Sequence, residues 1–230
     1  MRIEMFKNVF SLKTKDLLFL LCSYVIIITL AIIFKVSIIA TMSSLFGMTA
    51  VIYNSSGKKI CFLFYIIHCI LYAIQSFISK MYGELIIYSI YLTPLYFISF
   101  INYIKGKVNS NNDIRFLNIK TLCLIIALII TITVCYGFVL KAIDSTLPFF
   151  NSLLTALTIT CGFLTAKRYY HQWFLWLFLC VAAITTWSLT LKNDMSGLAF
   201  VLQNSLCIIL NINGLLAWNK MIKENNIKKQ

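Results

Sequence analysis

The stretch Gly57-Lys-Lys-Ile-Cys-Phe-Leu-Phe-Tyr-Ile-Ile-His-Cys-Ile-Leu-Tyr-Ala-Ile-Gln-Ser-Phe-Ile-Ser-Lys80 decides how this chain folds. From Ile60 to Ile78 it carries no acid, lysine or arginine, and a run of that length is about the 20 residues a helix needs to cross the hydrocarbon of a bilayer. Working outward, seven further blocks of the same kind appear: Leu17 to Phe34, Val36 to Tyr53, Tyr82 to Ile104, Thr121 to Leu140, Thr146 to Thr165, Gln172 to Leu191 and Gly197 to Trp218. Residues of hydrophobic type make up 60% of the 230, charged residues only 12%, and the mean hydropathy is +0.88. A water-soluble domain holds its apolar share near half, so lipid is the expected solvent. Helices alone among open structures satisfy every backbone group there. The expectation is an all-α membrane protein of eight transmembrane helices.

A net charge of +13 raises the question of nucleic acid. The basic residues, however, sit in short clusters between the apolar blocks rather than in one patch, and no nucleic-acid partner is expected. With eight spans, sixteen of the twenty lysines and arginines fall at the N-terminus, the even-numbered connections and the C-terminus, among them Lys58, Lys59, Lys105, Lys107, Arg115, Lys120, Lys167 and Arg168. Only Lys35, Lys80, Lys141 and Lys192 occupy the odd-numbered connections. By the positive-inside rule both termini face the cytoplasm of a multi-pass plasma-membrane protein, expected to be bacterial. The first block is longer than a signal-peptide core and lacks a small-residue cleavage site after it, so it reads as a retained helix.

The whole chain reads as one membrane domain. Its parts are an N-terminal helix (1–35), a three-helix unit (36–105), a polar loop with a linker helix (106–145), a second three-helix unit (146–220) and a basic tail (221–230). The loop from Gly106 to Ile119, with its Asn-Ser-Asn-Asn-Asp core, joins the halves. The eight cysteines all lie inside apolar blocks without a C-x-x-C pair. They read as small packing residues, with neither a disulfide framework nor a metal site. No cofactor is expected, and a homo-oligomer is compatible with this composition.

The two units show weak self-similarity. Gly57 to His68 lies against Ala166-Lys-Arg through Trp176 to Cys180, Met81-Tyr-Gly83 against Met195-Ser-Gly197, and Asn102-Tyr-Ile-Lys105 against Ala217-Trp-Asn-Lys220, at an offset of roughly 109 to 115 residues. An odd helix between them leaves both units facing the same way, as parallel repeats do in membrane carriers whose solute site lies near the midplane at the repeat interface.

Several short motifs in order then point to a family. Leu71-Tyr-Ala, Met81-Tyr-Gly-Glu-Leu, Tyr91-Leu-Thr-Pro94, Gln172-Trp-Phe-Leu-Trp176 and Gly214-Leu-Leu-Ala-Trp218 make the chain from about Val36 to Lys220 similar to the PnuC nicotinamide riboside transporters. The resemblance implies a SWEET-like three-plus-one-plus-three helix core and facilitated diffusion of a nucleoside-like vitamin precursor. It further implies trapping by intracellular phosphorylation and a role in vitamin uptake for NAD biosynthesis. Relatives that carry thiamine, riboflavin or deoxynucleosides supply the alternatives. The chain departs from the family where a W-x-x-x-N step reads Trp176-Leu-Phe-Leu-Cys180, and where Tyr88 and Tyr96 replace an Asn and a Gln.

Polar side chains inside a bilayer cost free energy and mark candidate function. His68, Tyr72 and Gln75 recur at helical spacing on one face of the third block. They are either packed, satisfied residues or part of a solute-lining face. Trp173, Trp176, Cys180 and Trp187 form a stripe on the seventh block. Trp173 and Trp187 read as interfacial belt residues, while Trp176 is the expected aromatic platform, with Cys180 beside it. Gln203, Asn204 and Asn211 on the eighth block serve either as interhelical hydrogen-bond partners or as ligands for ribose hydroxyls. Tyr88 and Tyr91 share a face just before Pro94, a residue that removes a helix hydrogen bond and permits a hinge. These ten, Trp176, Cys180, His68, Tyr72, Gln75, Tyr88, Tyr91, Gln203, Asn204 and Asn211, are the candidate solute-binding residues.

The scarcity of charge within the spans favours a passive carrier over a proton-driven pump. No G-x-G-x-x-G, Walker loop or H-E-x-x-H occurs, and Glu4, Asp16, Asp113 and Glu224 lie in cytoplasmic segments. A membrane-embedded enzyme is therefore disfavoured, and a non-transporting subunit or channel stands as a further alternative.

Overall fold

A computed structural model describes residues 11–105, 114–192 and 194–227. Among these residues eight helices are long and apolar enough to cross a membrane. They are α1 (Thr14–Ile33), α2 (Ile38–Ser55), α3 (Cys61–Ile78), α4 (Tyr82–Ile104), α5 (Ile119–Ala142), α6 (Pro148–Ala166), α7 (Gln172–Thr190) and α8 (Gly197–Ile227). Seven follow the hydropathy blocks to within a few residues. The eighth runs past Trp218 to Ile227, because a helix need not stop where the hydrocarbon does. The Asn-Ser-Asn-Asn-Asp core of the polar loop, with Glu4, Lys107 and Asp113, lies outside the described residues.

Helix ends follow local chemistry. Ser37 caps α2 by accepting from the Ala40 N–H at 3.1 Å, and Asn118 caps α5 by accepting from the Thr121 N–H at 2.7 Å. Pro148 opens α6, where a missing N–H costs nothing. Within α4 the winding widens to a π-turn over Ile87–Leu92 immediately before Pro94. The Thr93 N–H and hydroxyl both donate to the Tyr88 carbonyl, the hydroxyl at 2.7 Å, which holds the wide turn together just before the proline. The wide turn lies immediately before Pro94, the position expected to permit a hinge.

Neighbour relations place α2, α3, α4, α6, α7 and α8 in a closed ring, each packed on the next and α8 returning to α2. α1 packs outside on α2 and α8, and α5 packs outside on α6. Burial agrees: 67% of the α2 window is enclosed, against 22% for α1 and 11% for α5. Three cysteines depart from the packing role expected of them. Cys22 on α1 and Cys123 and Cys135 on α5 are exposed on the outer surface, while the other five are buried, and all eight are free thiols.

The two ends of the ring differ in chemistry. At the end carrying Lys80, three connections meet. Thr146 N–H and Ser145 Oγ both donate to the Lys80 carbonyl at 3.2 Å, and the Ser79 hydroxyl donates to Asp194 at 2.6 Å. Gln75 donates to the same carboxylate at 3.4 Å and accepts from Ser37 at 2.6 Å, so this clasp joins α2, α3 and the α7–α8 connection. The opposite end gathers Lys58, Lys59, Arg115, Lys167, Arg168 and Lys220. There the backbones of Arg115 and Tyr169 form a parallel bridge, and Asn54 donates to Gln172 at 3.5 Å.

The clasp should be visible in acid. Burial pushes the Asp194 carboxyl up, but hydrogen bonds from Ser79, Ser196 and Gln75 outweigh it and hold the group below its usual 3.8. A carboxyl depressed on folding contributes stability above its unfolded value, and that contribution disappears as pH falls through the folded one. Melting of the purified protein should therefore lie above that of Asp194→Asn from neutral pH down to about pH 4, with the gap closing only below that. A gap that does not change with pH would detach the carboxylate from the clasp.

Candidate functional site

Inside the ring, five helices converge on one enclosed cavity. α3 contributes His68 and Tyr72, α4 Glu84 and Tyr88, α6 Leu154 and Thr158, α7 Trp176, Leu179 and Ala183, and α8 Gln203 and Asn204. The sixth helix approaches through Gly47. A Cβ there would stand 2.4 Å from Gln203 Nε2 and 3.0 Å from His68 Nδ1, so only glycine lets α2 press against these two side chains. The space enclosed is about 30 Å³, room for no more than about two water molecules. A nucleoside-sized solute therefore requires the walls to separate.

One wall is aromatic and centred on Tyr72. Its ring stacks on Tyr88 at 4.1 Å, meets Phe200 at 4.6 Å and stands edge-on to Trp187 at 5.9 Å. Its hydroxyl accepts from the Trp187 indole N–H at 2.9 Å and bonds in turn to Glu84, which also accepts from Thr155 at 3.5 Å. An indole, a phenol and a carboxyl thus run in series to the cavity edge. His68 Nδ1 lies 2.9 Å from the Ser43 carbonyl. A carbonyl only accepts, so this contact places a proton on Nδ1.

The opposite side supplies Trp176, whose indole N–H donates to Thr165 at 2.9 Å while its ring lines the cavity. Asn204 donates to the Phe200 carbonyl at 2.8 Å. Gln203 is 7% exposed and its Oε1 has no hydrogen-bond partner. A buried acceptor left this way costs free energy until a donor arrives.

Of the ten residues expected at a binding site, six line this cavity: His68, Tyr72, Tyr88, Trp176, Gln203 and Asn204. The other four lie outside its lining. Gln75 belongs to the Asp194 clasp, Tyr91 donates to the Ile159 carbonyl at 3.5 Å, and Asn211 donates to the Cys180 thiol at 3.4 Å. Tyr96, the second departure from the family pattern, stacks on Tyr65 at 4.8 Å and is buried away from the cavity. The belt reading of two tryptophans requires correction, since Trp173 and Trp187 are both 0% exposed. Gly214 leaves a slot into which the Trp173 ring fits, a Cβ there meeting it at 2.5 Å, and Trp187 is held by Tyr72.

Sequence reasoning passed over Glu84 and Thr158. Glu84 was marked only as part of the Tyr-Gly-Glu motif, although a lone acid inside an apolar block is itself a signal.

A closed ring of spanning helices around a buried, partly polar cavity defines a multi-pass membrane transporter rather than an enzyme. Residues 37–220 match the family described as nicotinamide mononucleotide transporter, and the chain belongs to that family. It is 25% identical to the nicotinamide riboside transporter PnuC of Neisseria mucosa over 195 residues, covering 82% of this chain and 74% of that one. To the protein of the same description from Haemophilus influenzae it is 26% identical over 197 residues, covering 82% of each. The crystal structure of the Vitamin B3 transporter PnuC shares the fold, with a TM-score of 0.78 at 23% identity over 93% of this chain and 94% of that chain.

Proposed function

We propose that the chain carries a flat, cationic nucleoside, nicotinamide riboside above others, across a bacterial inner membrane by facilitated diffusion, with trapping by phosphorylation inside the cell. The observation that carries this reading is the lining itself. It pairs one buried carboxyl, Glu84, and one unpartnered amide oxygen on Gln203 with tyrosine, tryptophan and imidazole rings, and among the described residues it includes no lysine or arginine. A pyridinium ring would stack on Trp176 with its charge balanced by Glu84, while ribose hydroxyls would donate to Gln203. A phosphate would meet an acidic side chain and no lysine or arginine of the described lining, which favours the nucleoside over its nucleotide despite the family's description. The descriptions of both bacterial relatives support the same choice.

Thiamine is the second reading, because it shares a cationic heteroaromatic ring that Glu84 would complement. The ring of α2–α4 and α6–α8, with α5 between them, supports two parallel three-helix repeats. The gathering of basic residues at one end supports a cytoplasmic location for that end and for both termini.

The test is uptake into proteoliposomes of labelled nicotinamide riboside, thiamine, riboflavin and deoxynucleosides without ATP or an ion gradient. Equilibration of nicotinamide riboside down its own gradient is expected, and accumulation only under a proton gradient would remove the passive mechanism. Trp176→Ala should weaken nicotinamide riboside binding about tenfold to a few hundredfold, from lost stacking and cation–π attraction, with Trp176→Phe intermediate. Unchanged affinity by calorimetry in folded Trp176→Ala would move the site elsewhere.

A further inference from the structure

Trp187 of α7 stands behind the central cavity and outside its lining, fully buried against Tyr72 and Phe200. Its seat is tight. Gly197, the first residue of α8, lets the two helices close around it, since a Cβ there would stand 3.0 Å from the Trp187 carbonyl and 3.3 Å from Cε3 of the indole. A ring held on these sides keeps its N–H on one bearing, towards the Tyr72 hydroxyl at 2.9 Å.

That bond is not a by-product of burial. Trp173 and Trp218 are equally enclosed in the same ring of helices, and their N–H groups have no hydrogen-bond partner. The bond made by Trp187 therefore reflects the place of Tyr72 rather than a general need of buried indoles.

Its direction decides what Tyr72 does. An indole nitrogen only donates, so the phenol oxygen accepts, and the single phenol proton is left for a different acceptor. Glu84 is that acceptor. A hydroxyl that accepts from one neighbour also donates more strongly to the next. Thr155 adds a second donor to the same carboxyl at 3.5 Å. Hydrogen bonds donated to a carboxylate favour its charged form, the form that pairs with a cation.

We propose that Trp187 is a positioning residue for the carried cation: by donating to Tyr72 it commits the phenol proton to Glu84, and so keeps that carboxyl an acceptor with which a pyridinium ring can pair. This rests on the reading that Glu84 balances a cationic solute. The groups that act on the Glu84 charge are Tyr72 of α3, Tyr88 of α4 and Tyr136 of α5, with His68 of α3 also on the cavity wall. Among the described residues α6, α7 and α8 add no acid, lysine, arginine or histidine to the lining. All of these stay in place in a Trp187 variant, so the ratio of its affinity to the parent's isolates the indole proton.

The test is calorimetric titration of the full-length protein with nicotinamide riboside and with a deoxynucleoside, from about pH 5.5 to about pH 8. Trp187→Phe should weaken nicotinamide riboside about fivefold at neutral pH, the effect of one lost hydrogen bond, and the neutral nucleoside less than about twofold. The loss should be largest in acid and shrink as pH rises, because a carboxyl with one donor fewer holds its charge less readily. Adding Trp187→Phe to Tyr72→Phe should weaken binding no further, since the indole acts only through the phenol. A benzothienyl side chain at position 187, which has the shape of an indole without the N–H, should reproduce these results and serves if Trp187→Phe does not fold. Equal losses for both solutes, a loss independent of pH, or full additivity with Tyr72→Phe would each overturn the assignment. Glu84→Gln that retains its preference for the cation would overturn the reading of Glu84 itself.

Discussion

Replacing Glu84 with glutamine is expected to weaken binding of nicotinamide riboside by roughly two orders of magnitude while leaving a neutral nucleoside little affected. The side chain is 1% exposed and held by Tyr72 and Thr155, so the substitution keeps shape and hydrogen-bonding reach and removes the capacity of the carboxyl to ionise against a bound cation. An ion pair about 5 Å apart at an effective dielectric near 20 contributes about 3 kcal/mol, which sets the size of the loss. Glu84→Asp should fall between, because a shorter arm lengthens that separation. Calorimetric titration of the purified variants with the cation and with a deoxynucleoside separates the contributions. Equal loss for both solutes would mean that Glu84 shapes the cavity and does not balance a charge.

The second large effect concerns stability. Trp187→Ala should lower the unfolding free energy by about 3 kcal/mol, the low end of the range for large aromatic truncations. The low end applies because the surrounding lipid is as apolar as the core, so the loss comes from packing around the void rather than from transfer out of water. Trp187 is fully buried against Tyr72 and Phe200, with ring centroids 5.9 and 4.7 Å away. Trp187→Phe keeps most of that packing and deletes the N–H that Tyr72 accepts, a loss of about 1 kcal/mol. Denaturant melts in detergent report both. Should Trp187→Ala melt like the parent, the indole would be an interfacial belt residue after all.

That contrast shows where sequence ceased to inform. The eight spans were legible because hydropathy over about 20 residues is a summed property, insensitive to which way any one side chain points. Position around the helix axis was legible only locally. His68 and Tyr72, four apart, do share the cavity, but Gln75, one further step along the same face, has moved axially to the clasp with Asp194. On α7, helical arithmetic grouped Trp173 with Trp176, yet nothing in the spacing says that Gly214 on α8 opens a slot for one ring and not the other. Glu84 was readable as a lone acid in an apolar block. Thr158 was not, since a threonine within a span commonly bonds its own backbone. Contacts between distant helices decide such cases, and periodicity carries no information on them.

The wide turn in α4 has a consequence for how the helix divides its attachments. Glu84, Tyr88, Leu92 and Tyr96 are spaced four apart and all are buried. In straight α winding each step of four overshoots a full revolution by about 40°, so Tyr96 would end about 120° around from Glu84. The surplus residue in Ile87–Leu92 takes up part of that rotation, so one inward face of α4 can hold Glu84 to Thr155 of α6 and Tyr96 to Tyr65 of α3. Wound as an ordinary helix, the same segment would turn Tyr96 away from the face that carries Glu84.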